Sequence, residues 1–133
     1  MASQLIEGSF VALITPMNDD GTVDFEGFRS LIQFHEENDT SAILFMGSTG
    51  EVSMLNQEER HAIVRETMKM RSGKMHFYYG CTGTTTAATI DYVMQAGIEG
   101  AGGATSATPG WTPASDADVA PWPRAAADGA RLP

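Results

Sequence analysis

The sequence predicts an α/β domain built on a parallel sheet with crossover helices, and three observations carry that prediction. Apolar segments of strand length alternate along the chain with segments of helical periodicity. The first strand segment is apolar on consecutive residues, the pattern of a strand covered on both faces. Turn and capping residues separate the segments. At 133 residues the chain is long enough for one modest domain with its own core.

The first strand is expected over Ser9 to Thr15, where Phe10, Val11, Leu13 and Ile14 crowd together before Pro16 ends it. Asn18, Asp19, Asp20 and Gly21 form a turn cluster. Asp24 then stands at a helix N-cap, ahead of Phe25, Phe28, Leu31, Ile32 and His35 at helical spacing, and that helix should reach about Asn38. Asp39 occupies the place where a helix C-terminal glycine is usual, so a left-handed turn there would be mildly strained. Ala42 to Met46 is the second strand. Beyond it, Asn56 and Glu59 have the spacing of a capping box, with Ile63, Val64, Thr67 and Met68 on the buried side of a helix ending near Gly73. Met75 to Cys81 is the third strand. Thr85 or Thr86 can cap a third helix carrying Ile90, Val93 and Met94 before Gly97.

These are three βα units, and residues 1–98 are well patterned. Residues 99–133 read differently. A fourth strand is due within 101–108, yet that stretch holds no Val, Ile, Leu or aromatic residue, and glycine and alanine pack poorly in a sheet. Ser115 with Asp118 offers a helix start, but Pro121 and Pro123 remove backbone donors in its first two turns. The fourth unit is expected to be weak and frayed.

Composition narrows the function classes. A net charge of −9, from 17 acids against 8 bases, opposes a nucleic-acid surface, which needs clustered cations. Cys81 is the single cysteine, so the chain has no internal disulfide framework and no paired-cysteine metal site; a reducing compartment is favoured. The N-terminus shows no basic region followed by a signal-like apolar stretch, and no run approaches the roughly 20 apolar residues of a membrane span. The expectation is a cytoplasmic protein without nucleic-acid or membrane partners.

The chemistry concentrates in Ser41 to Glu51, where an apolar strand runs into Ser48 and Thr49, two hydroxyls held between Gly47 and Gly50. Flanking glycines allow a tight turn and close approach to a ligand, while the hydroxyls and their amides can hold a carboxylate or pass a proton. The rival reading is a helix-capping Ser-Thr turn with no ligand.

Four segments together resemble a known family. Gly8 to Pro16, Asp20 to Asp24, Gly47 to Glu51 and Leu55 to Arg60 are similar, in order and spacing, to the opening half of the dihydrodipicolinate synthase and N-acetylneuraminate lyase family of class I pyruvate-dependent aldolases. The resemblance implies the first half, about four βα units, of a TIM (β/α)8 barrel. It implies that Ser48 and Thr49 bind the carboxylate of pyruvate and that Ser48 also relays protons. No metal or organic cofactor is implied. Pyruvate and a small aldehyde are the implied substrates, and a homo-oligomer, tetrameric in the family, or a complementary half-barrel the implied protein partner. Glu51 reads as a packing or capping carboxylate, and Thr15-Pro16 as shaping the mouth of the site.

Two departures stand out. Thr108-Pro109-Gly110-Trp111 falls where the family has an aromatic pair whose second member reaches a neighbouring subunit's site; Trp111 can fill that space but cannot pass a proton as a phenol does. The family's catalytic tyrosine and Schiff-base lysine come after strands five and six, at positions beyond Pro133. Lys69 and Lys74 lie in and after the second helix and are expected to be solvated, hence protonated and not nucleophilic. The chain by itself is therefore expected to lack the amine. Three readings follow: a dihydrodipicolinate synthase-type lyase, with a neuraminate lyase or other pyruvate aldolase as its nearest rival; a non-catalytic half-barrel subunit; and an inactive truncated product.

Overall fold

The computed structural model describes residues 6–107 together with Arg124, Ala127 and Asp128. Four strands, β1 (Phe10–Ala12), β2 (Ala42–Phe45), β3 (His76–Gly80) and β4 (Gly103–Thr105), form one sheet in the order β1-β2-β3-β4. All three pairings are parallel, and each connection is a helix-containing crossover: α1 (Phe25–Glu37), α2 (Gln57–Met70) and α3 (Thr86–Ile98). A short 3₁₀ turn, Val52–Met54, precedes α2.

The helix starts follow from side-chain oxygens that satisfy otherwise orphaned first-turn amides. Asp24 accepts from the Gly27 amide, and Thr85 accepts from the Ala88 amide. Asn56 and Glu59 form the full reciprocal capping box expected of them. At the end of α1, Asp39 does adopt the left-handed conformation, with φ 58°. There the Thr40 amide reaches back to the His35 carbonyl at 3.0 Å, closing a Schellman-type cap.

The core lies between the sheet and the helices. Ile43, Phe45, Phe77 and Tyr79 alternate onto the helix-facing side and are fully buried with Phe28 and Ile32 of α1, Ile63 and Val64 of α2, and Val93 and Ala96 of α3. Phe45 is its centre: it stacks on Tyr79 at 5.1 Å and meets Phe77 and Phe28 edge-on at 5.0 and 5.7 Å. Burying each such side chain contributes roughly 1.5–3 kcal/mol. The buried Tyr79 hydroxyl lies 2.8 Å from Thr67 Oγ1, which itself donates to the Ile63 carbonyl. A hydroxyl has one proton to give, so Tyr79 donates to Thr67.

Several sequence expectations are corrected. Strand β1 is three residues long rather than Ser9 to Thr15, although the Leu13 amide still bonds to the Leu44 carbonyl. It is covered on one face only: Phe10 and Ala12 are exposed on the side away from the helices, and Ile14 just beyond them is 54% exposed, whereas Leu13 is buried. Helix α2 stops at Met70, short of Gly73. Helix α3 runs through Gly97 to Ile98, and Gly100, at φ 83°, provides the left-handed stop instead.

The fourth strand forms, briefly, and the lack of bulk has a structural reason. A Cβ at Gly103 would lie 2.4 Å from the Tyr78 ring, so Tyr78 of the neighbouring strand fills the space that a side chain on β4 would otherwise occupy. The helix start expected at Ser115 and Asp118, with its prolines, lies outside the described residues.

Candidate active site

The Gly47–Glu51 turn leaves the C-terminal end of β2, and its shape is fixed from three sides. Met46 is driven to φ 56°, a left-handed conformation costing a non-glycine residue roughly 1–2 kcal/mol. The turn then closes by bonds from the Gly50 amide to the Gly47 carbonyl and from the Glu51 amide to the Ser48 carbonyl, both 3.1 Å. From β3, Gly80 lies against it so closely that a Cβ there would fall 2.0 Å from the Met46 carbonyl oxygen. From the end of β1, the Thr15 hydroxyl donates to the Gly50 carbonyl at 2.7 Å.

Ser48 and Thr49 thus sit side by side at the apex, solvent-accessible. Among the described residues neither hydroxyl has a hydrogen-bond partner, and neither backbone amide donates to a carbonyl. The capping alternative fails: the 3₁₀ turn follows Glu51 without any side-chain cap, and α2 is capped by Asn56. Two amides and two hydroxyls left unsatisfied at one turn suit an anion such as a carboxylate. Glu51 neither packs nor caps, contrary to expectation; it is exposed, with φ 52°. Thr15 was legible as a residue at the mouth, and its bond to Gly50 makes it a support for the turn.

Arg60 and Gly80 are the supports that the sequence reading missed. Arg60, half-buried on the first turn of α2, donates to the carbonyls of Leu55 at 3.2 Å, Val52 at 2.8 Å and Thr82 at 3.0 Å. Its guanidinium lies over the Tyr92 ring of α3, 4.8 Å from the centroid. The available signal was an arginine one residue beyond the capping-box glutamate, three positions before the buried Ile63.

Neither lysine serves the turn. Lys69 Nζ is held by both oxygens of Glu66 at 2.9 Å on the exposed surface of α2. Lys74 is exposed and lines a cavity of about 430 Å³ with Glu36, Asp39, Ser41 and His76. Ser41 enters β2 and Gly47 leaves it, so this cavity lies at the opposite end of the strand from Ser48 and Thr49. Cys81 is no nucleophile either, since burial pushes its thiol up to about 12. Trp111 lies outside the described residues.

The geometry has clear counterparts. The model of the Dihydrodipicolinate synthetase family matches residues 5–133. This chain belongs to that family. A 4-hydroxy-tetrahydrodipicolinate synthase of Coxiella burnetii is 36% identical over 105 residues, 79% of this chain and 36% of the relative. The corresponding enzyme of Shewanella frigidimarina is 45% identical over 87 residues, 65% of this chain and 30% of the relative. Among solved structures, dihydrodipicolinate synthase from Aquifex aeolicus superposes with a TM-score of 0.90 at 32% identity, covering 95% of this chain and 43% of that one. The chloride-inhibited synthase of Acinetobacter baumannii, complexed with pyruvate, gives 0.91 at 30% identity, covering 97% and 44%. The chain therefore spans about a third of its curated relatives' length, and its βα units are the N-terminal part of the dihydrodipicolinate synthase barrel. In such barrels active sites form at the C-terminal ends of the strands, where the Ser48-Thr49 turn lies. Among the described residues, no helix is long and apolar enough to cross a membrane.

Proposed function

We propose that this chain carries the carboxylate-binding part of a pyruvate-dependent Schiff-base lyase of the 4-hydroxy-tetrahydrodipicolinate synthase type, acting in lysine biosynthesis. The observation that carries the reading is the unsatisfied pair of amides and hydroxyls at Ser48 and Thr49, presented at the strand end where the family's barrel does its chemistry. In this reading the turn grips the carboxylate of pyruvate and fixes the orientation of its ketone.

A lysine amine then attacks the ketone carbon and water departs, leaving a cationic imine. Loss of a proton from the neighbouring methyl group gives an enamine, whose carbon attacks a small aldehyde. The Ser48 hydroxyl moves protons during these steps, a role worth roughly 10²–10⁴-fold in rate for a positioned group. Neither Lys69 nor Lys74 is placed to be the amine, since one is ion-paired on the surface and the other lies at the far end of β2. The amine is assigned to the part of the family barrel that this chain does not span, joined to it as a further subunit or as further βα units.

Borohydride trapping with pyruvate, followed by intact mass of every polypeptide present, tests this. The reading predicts no adduct on this polypeptide alone and an adduct on a polypeptide carrying the remaining units. A covalent adduct at Lys69 or Lys74 contradicts it. In the assembled enzyme, Ser48→Ala should lower turnover; unchanged turnover removes Ser48 from the proton path.

A further inference from the structure

Arg60 donates from each of its three guanidinium nitrogens to a backbone carbonyl, with no carboxylate within ion-pair distance among the described residues. The three carbonyls belong to two separate segments. Val52 and Leu55 bound the 3₁₀ turn that directly follows Glu51, while Thr82 lies in the loop between β3 and α3. One rigid guanidinium thereby ties the segment leaving the Ser48-Thr49 turn to the strand end beside it. Tyr92 limits its motion from the α3 side.

We propose that Arg60 is a positioning residue for the anion-binding turn: it fixes the C-terminal leg of Gly47–Glu51 so that the Ser48 and Thr49 donors converge on one carboxylate. The inference rests on the carboxylate-binding reading of that turn. The planar fork is what the geometry requires, because three carbonyls in fixed directions are met by three separate N–H groups. A lysine keeps the charge but brings a single ammonium centre. Without the fork, the bonds from Gly50 and Glu51 that close the turn lose the brace behind them.

The test compares the chain with its Arg60→Lys and Arg60→Ala variants by two readouts, amide hydrogen exchange and pyruvate affinity by calorimetry. Exchange at Gly50, Glu51 and Leu55 should accelerate by about 10-fold or more in both variants, while the β3 amides stay unchanged. Pyruvate affinity should fall by about 10-fold, with lysine recovering less than about threefold of it. If Arg60→Ala does not fold, Arg60→Lys decides by the same amides. Unchanged exchange at Gly50 and Glu51 in a folded variant overturns the proposal. Full recovery of both readouts by lysine also overturns it, because charge would then suffice. If the unaltered chain binds no pyruvate at all, the carboxylate reading falls, and the exchange data still decide whether Arg60 braces the turn.

Discussion

On the side of the sheet that faces the helices, Ile43, Phe45, Phe77 and Tyr79 are sealed beneath α1, α2 and α3. On the other side, Phe10 is 54% exposed and meets Tyr78 edge-on, while Leu44 and His76 are half-buried. The first face is a finished core. The second is what a complete family barrel fills with layered side chains. The helices close the first face, whereas the second stays open, and among the described residues β1 and β4 are the edges of the sheet.

The largest effect should come from the centre of the closed face. Phe45→Ala removes the ring shared by Phe28, Phe77 and Tyr79 and should cost roughly 3–5 kcal/mol in denaturant unfolding. A cost below that of an exposed substitution would mean that the face is not packed as described. Next is a tight point on the open side, where Gly80→Ala would drive a methyl into the Met46 carbonyl. It should cost roughly 3 kcal/mol, near the upper end for overpacking, and should move the Ser48 and Thr49 amide resonances.

Alkaline pH probes the closed face through Cys81, whose thiol is pushed up to about 12 by burial. The unfolded thiol ionises near its ordinary value of 9.0, so above that pH the unfolded state binds fewer protons than the folded one. Stability should therefore fall as pH rises from about 9 to about 12, by up to about 1.4 kcal/mol per pH unit for this one group. Tyr79, pushed upward by burial as well, acts in the same direction at higher pH. A Cys81→Ala variant should flatten the first part of that slope.

Smaller still, Tyr79→Phe strips a buried hydrogen bond from Thr67 and should cost about 1 kcal/mol. At the bottom of the scale, Phe10→Ala on the open face should change the stability of the isolated chain by less than about 0.5 kcal/mol. In an assembly that covers the open face, the same substitution should cost several-fold more, which makes Phe10 a direct reporter of what packs there.

Much of this was legible from residue order. The caps at Asp24, Asn56 and Thr85 were readable because each is a short polar side chain placed before the amide it satisfies, an interaction spanning three residues. The Ser48-Thr49 turn was readable from its flanking glycines. What escaped depends on residues distant in sequence. The exposure of β1 follows from which face of the sheet the helices cover, and Phe10 and Ala12 lie on the other one. Gly103 looks like a defect in sequence, but Tyr78, 25 positions earlier, occupies its side-chain space. The role of Arg60 escaped because its bond to Thr82 crosses 22 residues.

The central claim is that the Ser48-Thr49 turn holds the carboxylate of an α-keto acid, and amide-resolved NMR of the chain titrated with pyruvate tests it most directly. Saturable shifts confined to Ser48, Thr49 and their neighbours at the end of β2 are the predicted result. Shifts centred instead on Ser41, Lys74 and His76 at the opposite end of the strand, or none at all, would contradict it.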